Sequence, residues 1–143
     1  MKKYIQTIIL GTFLIGLIFA QSDSTNVIQE RSITPTVAIR YDNFLQDLTP
    51  SSTIGILLRL DEDRYTGFDT TADEVRIIAG WRWTVLGVGT KVIEVDGEEQ
   101  TVGQYTFGAK YKVMENMYTS TEYVRVDHDS IDDFIRLTVA IEF

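Results

Sequence analysis

The single histidine of the chain lies in an acidic segment that also holds a serine, residues 127–133. His128 as a base and Ser130 as a nucleophile would be two members of a hydrolase triad. Asp132 or Asp133 would supply the carboxylate. The alternative is a solvated acidic loop without chemistry. We expect the solvated loop, so the sequence assigns no catalytic residue.

A second acidic segment, residues 61–69, has some features of a calcium-binding loop. It reads Asp-Glu-Asp-Arg-Tyr-Thr-Gly-Phe-Asp, and carboxylate oxygens are good calcium ligands. However, its glycine is the seventh residue, whereas an EF-hand loop needs glycine at the sixth place and Glu at the twelfth. The sequence contains no Gly-rich phosphate-binding motif and no cluster of metal ligands. We therefore expect neither a metal site nor a cofactor.

Length and composition exclude several classes of protein. The chain has 143 residues, which fits one domain, and no Cys, which excludes a disulfide framework, a thiolate zinc site and a catalytic thiol. Its formal net charge of −8 argues against nucleic acid as a partner, because phosphates require a basic surface.

The first 22 residues predict a secretory signal peptide. Lysines at positions 2 and 3 precede an almost wholly apolar run, 8–20, and small residues follow it. The alternative is an uncleaved anchor helix, but the run is short for a bilayer, which requires about 20 apolar residues. Cleavage would leave residues 23–143 as one exported domain with 11 basic and 21 acidic residues, a net charge of 11 − 21 = −10.

Apolar and polar side chains alternate with period two along most of the remaining chain, which predicts β-strands. In 104–113, for example, Tyr, Phe, Ala, Tyr and Val occupy one face and no residue is out of phase. The alternation is weak in two of the predicted strands, 84–95 and 117–127, and the first one rests on position alone. The eight predicted strands are 26–33, 36–42, 53–61, 74–83, 84–95, 104–113, 117–127 and 134–143.

The connections between these strands alternate in length. Short ones are predicted at 48–52, 84–86 and 114–116, and longer or acidic ones at 61–73, 96–101 and 127–133. This pattern is typical of an all-β, up-and-down antiparallel barrel with tight turns at one end and exposed loops at the other.

Seven basic residues share the polar phase of these strands: Arg40, Arg59, Arg76, Arg82, Lys110, Lys112 and Arg136. In a soluble lipocalin-like barrel they would face water, and the apolar phase would line a ligand cavity. In a transmembrane barrel the apolar phase would face lipid. The charges would then fill the interior, paired with carboxylates such as Glu74 and Glu122.

Aromatic residues and glycines favour the transmembrane alternative. Trp81, Trp83, Tyr111 and Phe143 are expected near the short-turn end, and Tyr105 and Tyr123 toward the other, as in two interfacial girdles. Three glycines in the polar phase, Gly55, Gly80 and Gly108, would make room for long Arg and Lys side chains inside a small barrel. We therefore predict an eight-stranded antiparallel transmembrane β-barrel.

The segments 105–113, 118–127 and 134–143 resemble the closing hairpins of small bacterial outer-membrane β-barrels of the OmpA/OmpX type. The sequence ends in Phe143 with apolar residues at every second position before it. This ending is similar to the signal by which the outer-membrane assembly machinery recognises such proteins. The resemblance implies a location in the outer membrane of a Gram-negative-type cell, in contact with its lipid. It also implies the assembly machinery and periplasmic chaperones as partners during biogenesis.

The spacing of His128 and Ser130 faintly resembles that of barrel enzymes that deacylate lipid A. In that family a carboxylate on the following strand orients the histidine, whereas here Glu142 is expected at the far end of its strand. We therefore expect a structural or surface-interaction protein rather than an enzyme. We expect no open pore either, because side chains fill the interior of an eight-stranded barrel. The alternatives are a soluble exported barrel that binds an apolar ligand and a lipid-modifying barrel enzyme.

Overall fold

Residues 32–143 are the part of the chain that the computed structural model describes, and they form one closed barrel. The predicted signal peptide lies outside the described residues, as does the first predicted strand, 26–33, apart from its last two positions. The strands are β1 (Ser32–Asp42), β2 (Pro50–Arg59), β3 (Arg64–Thr70), β4 (Glu74–Trp81), β5 (Thr84–Val95), β6 (Glu98–Met114), β7 (Met117–Val126) and β8 (Phe134–Glu142).

Each of these strands pairs antiparallel with the next, and β1 also pairs with β8, so that the barrel has no free edge. The predicted eight-stranded, up-and-down, all-β fold is confirmed. Within residues 32–143, no helix has the length and apolar character needed to cross a membrane.

The two ends of the barrel differ, and the structure corrects which connection lies at which end. One end, the long-loop end, carries the connections 43–49, 71–73, 96–97 and 127–133. The other, the short-turn end, carries the turns 60–63, 82–83 and 115–116 and the start of β1. The connection predicted at 48–52 was wrongly assigned to the short-turn end.

That error arose because β3 lies inside a segment that was predicted to be a loop, 61–73. The strand has only one large apolar residue, Phe68, on its outward face, and Tyr65 and Asp69 on its inward face. A strand that is polar on both faces shows no apolar alternation, so its sequence does not predict it.

The β5–β6 hairpin is longer than predicted. The loop expected at 96–101 is a two-residue turn in which Asp96 and Gly97 both have positive φ, 56° and 81°. Asp-Gly favours this tight hairpin turn, and the ladder therefore continues to the pair Val95 and Glu98. Beyond Lys91 on one side and Gln104 on the other, this hairpin extends past both neighbouring strands at the long-loop end.

The predicted phases of the strands are confirmed. Residues of the apolar phase point outward, and many remain exposed; examples are Val37, Ile39, Ile54, Ile56, Val75, Ile77, Phe107, Tyr111, Val139 and Ile141. The weak phase of β5 has a structural reason. Ile93 points inward with Lys91, because it packs on Val102, Val124 and Val126 in a small apolar cluster inside the long-loop end.

Glycines do make room inside the barrel, but not for the side chains that we expected. A Cβ on Gly80 would collide with the ring of Tyr65, and a Cβ on Gly108 would lie 2.6 Å from Cα of Glu122. The backbone of Arg76 passes instead beside Gly89, where an added Cβ would lie 2.6 Å from Cβ of Arg76. These close approaches fix the lateral packing of neighbouring strands.

Candidate functional site

A network of charged side chains fills the middle of the barrel. Three arginines and three carboxylates, each less than 10% exposed, contribute to it from five strands: Arg40 (β1), Asp69 (β3), Glu74 and Arg76 (β4), Glu122 (β7) and Arg136 (β8). Buried charges are stable only when they are paired. The stability of this network therefore depends on its ion pairs.

Arg76 lies at the centre of the network and binds two carboxylates. Its Nε is 2.8 Å and 3.0 Å from the two carboxylate oxygens of Asp69, and its Nη2 donates a second hydrogen bond of 2.9 Å to Asp69. Its Nη1 donates to Glu122, which also accepts a hydrogen bond of 2.8 Å from the hydroxyl of Ser120. This is a two-sided, hydrogen-bonded arrangement of the strong, charge-assisted kind.

Glu74 joins the other two arginines. One carboxylate oxygen accepts from Arg40 at 2.8 Å and from Arg136 at 2.9 Å, and the second accepts from Arg136 at 2.7 Å. Arg136 also donates to Asp42 at 2.8 Å, and Lys91 donates to the same carboxylate at 3.0 Å. The network thus extends without a break to the rim of the long-loop end.

The network and the apolar cluster above it occlude the barrel. A cavity of about 60 Å³ lies inside, against Asp69, Arg76 and Glu122. This volume holds about two water molecules at roughly 30 Å³ each. Side chains therefore fill most of the interior of the barrel.

A second polar group lies at the short-turn end. Arg59 and Lys110 both bind the carboxylate of Glu142, Lys110 at 2.9 Å, and Arg59 also donates to the hydroxyl of Tyr118 at 2.9 Å. Nζ of Lys110 lies 4.5 Å from the ring centre of Tyr65 and 4.0 Å from that of Tyr118, within the range of cation–π contacts. A cavity of about 460 Å³ opens beside these residues toward solvent.

The structure does not assemble the triad considered for the loop 127–133. Nδ1 of His128 accepts a hydrogen bond of 3.2 Å from the backbone amide of Ser130. Asp133 accepts instead from the hydroxyl of Tyr123. Glu142 binds Arg59 and Lys110 at the opposite end of its strand, as the sequence predicts.

The carboxylates of the segment 61–69 also diverge. Asp61 lies in the turn before β3 and binds Arg64, whereas Asp69 points into the interior. Burial alone would raise the pKa of Asp61, but hydrogen bonds from Arg64 and from the backbone amide of Asp63 lower it below its usual value. Among residues 32–143, no three His, Cys, Asp or Glu side chains are placed to hold a metal ion.

Five of the seven basic residues predicted in the interior are there, and two are not. Arg82 belongs to an exposed turn, where it lies 3.4 Å from Asp63, and Lys112 is exposed at the short-turn end. Glu74 and Glu122 are the predicted partners and do bind arginines. Lys91 also points into the interior but was not among the seven predicted basic residues, although it shares a strand face with Gly87 and Gly89.

Three interior carboxylates were also missed: Asp42, Asp69 and Glu142. Asp42 and Glu142 stand in the polar phase of predicted strands, so the alternation alone could have identified them. Asp69 could not be found in this way, because its strand was not predicted.

No protein-family model matches the chain, and no curated protein matches it. Its fold is similar to that of a solved structure from "De novo design of transmembrane beta-barrels". The two share 15% sequence identity over 78% of this chain and 94% of the designed one, with a TM-score of 0.45. A likeness this distant identifies no function.

Proposed function

We propose that this protein is a transmembrane β-barrel of a bacterial outer membrane, with a structural or surface-interaction role and no open pore. The observation that carries the proposal is the inverted polarity of the barrel. Ile54 and Phe107 are 61% and 58% exposed on the outer surface, whereas Arg136 is 0% exposed inside. Water does not favour this arrangement, but hydrocarbon does, because it solvates the outer face and excludes the charges.

The closed hydrogen-bond ladder supports the same proposal. In lipid every backbone amide and carbonyl must be paired within the protein, and a barrel without a free edge meets this requirement. Exposed aromatic rings flank the apolar surface, with Trp81, Trp83 and Tyr111 at the short-turn end and Tyr123 toward the long-loop end. Such rings suit the headgroup level of a bilayer.

The absence of an open pore is proposed from the interior. The ion pairs of Arg40, Arg76 and Arg136 cross the lumen and join non-neighbouring strands, so an ion would have to break them in order to pass. Transmembrane barrels that conduct ions or solutes have more than eight strands and a water-filled lumen.

The long-loop end is the surface through which we propose that the protein meets other molecules. The four ranges 43–49, 71–73, 92–102 and 127–133 contain ten Asp or Glu residues and no Lys or Arg. This end therefore carries most of the net negative charge of the chain, and it extends furthest from the barrel at the β5–β6 hairpin.

The soluble alternative, an exported lipocalin-like barrel, needs an apolar interior that encloses a ligand. The interior cavity of about 60 Å³ borders Asp69, Arg76 and Glu122 and is far below the roughly 300 Å³ that a small-molecule site needs, so we favour the membrane barrel. The enzyme alternative needs a histidine with a hydroxyl and a carboxylate in reach, and the contacts of His128 described above do not supply them.

Fractionation of cells that express the full chain tests the proposal. The protein should remain with the membranes after an alkaline carbonate wash, and it should run faster on gels when it is not boiled, because a folded barrel resists unfolding by detergent. Purified protein in planar bilayers should give no steady conductance. Recovery in the aqueous periplasmic fraction without detergent would contradict the membrane assignment, and stable channel openings would contradict the closed interior.

A further inference from the structure

The cavity at the short-turn end is lined by basic side chains, although the protein as a whole is acidic. Its volume of about 460 Å³ is within the range of small-molecule sites, and residues of the turns 60–63 and 82–83 and of the adjoining strand ends line it. Five of its lining residues are basic: Arg59, Arg64, Arg82, Lys110 and Lys112. The net charge of the chain is −8, so this concentration of cations is a local feature.

Two of these cations are neutralised by neighbours in the turns. Arg64 binds Asp61, and Arg82 lies 3.4 Å from Asp63. Neither pair leaves a free charge for a ligand.

The other three cations retain positive charge. Arg59 and Lys110 share the single carboxylate of Glu142, so this trio keeps one net positive charge. Lys112 lies at the rim, is exposed and has no ion-pair partner among residues 32–143. Glu62, exposed in the neighbouring turn, is the remaining acidic residue of the lining.

Unused hydrogen-bond donors face the same region. Nζ of Lys110 has three protons, and only one of its hydrogen bonds, to Glu142, is made within the described part of the chain. Tyr65 lines both this cavity and the smaller interior one; it is 5% exposed, and its hydroxyl has no hydrogen-bond partner among the described residues. Because a buried hydroxyl without a partner costs free energy, this donor is available to a group bound in either cavity.

We propose that the cavity at the short-turn end binds a phosphate group. A phosphate offers several acceptor oxygens, which match the guanidinium of Arg59, the ammonium of Lys110 and the hydroxyl of Tyr65. The aromatic rings of Trp83, Tyr111 and Tyr118 also line the cavity and offer apolar contacts to whatever the phosphate carries. The phosphate belongs either to a soluble anion or to a lipid headgroup at the level of these rings. The assignment does not require the membrane proposal.

Tryptophan fluorescence provides the assay, because Trp83 lines the cavity and Trp81 is the only other tryptophan. The full chain with Trp81→Phe would be folded in maltoside detergent, which contains no phosphate. Inorganic phosphate would be titrated at constant ionic strength, and dihexanoylphosphatidylglycerol would be titrated in a second series. A saturable change with inorganic phosphate identifies a soluble source, and one with the lipid alone identifies a headgroup.

Three variants test the location of the site. Lys110→Gln should weaken binding about ten-fold or more, the usual effect of losing one charge-assisted hydrogen bond. Lys112→Gln is at an exposed position and should fold normally, and it should weaken binding by a smaller factor. The matched control is Lys91→Gln, which removes an inward lysine from the opposite end of the barrel and should leave the affinity unchanged.

Two results would overturn the proposal. One is the lack of any saturable change with either probe up to about 10 mM, ten-fold above a millimolar dissociation constant. The other is an equal loss of affinity in Lys91→Gln and Lys112→Gln, which would show that only the overall charge matters.

Discussion

Replacing Arg76 with Met should strongly destabilise the barrel, although it makes the interior more apolar. Arg76 is 3% exposed and holds two buried carboxylates, Asp69 and Glu122. After the substitution Asp69 keeps its ion pair with Arg40 at 3.0 Å, but Glu122 keeps only the hydroxyl of Ser120. One buried charge thus loses its counter-charge, for which a cost of about 3–5 kcal/mol is expected.

The free energy of unfolding in urea, followed by tryptophan fluorescence in detergent or lipid, measures this cost. The double variant Arg76→Met, Glu122→Gln should recover part of the loss, since it removes the charge that was left unpaired. Arg82→Met is the matched control. This arginine is exposed and 3.4 Å from Asp63, so its loss should cost at most about 1 kcal/mol. An Arg76→Met protein as stable as the parent would refute the proposed role of the interior network.

Three further predictions concern the outer face, the lateral packing and the end of β8. Ile77→Arg places a charge on the outer face at the middle of β4, and it should lower the free energy of unfolding in lipid by about 2–4 kcal/mol. A smaller loss in liposome unfolding experiments would contradict a mid-bilayer position. Gly80→Ala should lower the free energy of unfolding by about 1–3 kcal/mol, because the new methyl overlaps the ring of Tyr65, and Tyr65→Leu in the same chain should restore part of it. Phe143 is 73% exposed, so Phe143→Ala should not change the free energy of unfolding in detergent. If the assembly machinery binds this aromatic residue, the variant should have a smaller folded fraction in cell membranes. Equal folded fractions of the variant and the parent would contradict that role.

Where a strand was predicted, sequence periodicity was sufficient to predict which of its side chains point inward and which point outward. In β1, for example, Ile33, Val37 and Ile39 share the outward face, and the inward face holds only polar residues and Ala38. Because each side chain of a strand must point to one face or the other, the alternation carries this information without any knowledge of the neighbours.

The partners of the interior charges could not be predicted in the same way. Arg40 and Glu74 belong to β1 and β4, which are not adjacent, and they meet across the lumen only because the barrel closes with a particular register. The position of Asp69 could not be predicted either, because β3 has polar residues on both faces and its sequence does not predict a strand. Such contacts follow from the assembled barrel rather than from local sequence.

The cavity at the short-turn end could not be predicted from the sequence either. Its cations come from the ends of β2, β3 and β6 and from the turn 82–83, and they converge only when these separate parts of the chain lie side by side. No local spacing of residues encodes that convergence.

The environment of the outer face in a lipid bilayer distinguishes a transmembrane barrel from a soluble one. The chain has no Cys, so single cysteines can carry spin labels at Ile56 and Ile77 on the outer face and at Asp129 in an exposed loop. In reconstituted liposomes, we expect oxygen to reach the labels at positions 56 and 77 readily, and a water-soluble nickel chelate not to reach them. The label at position 129 should show the reverse. Equal access of the nickel chelate to all three positions would contradict a transmembrane barrel.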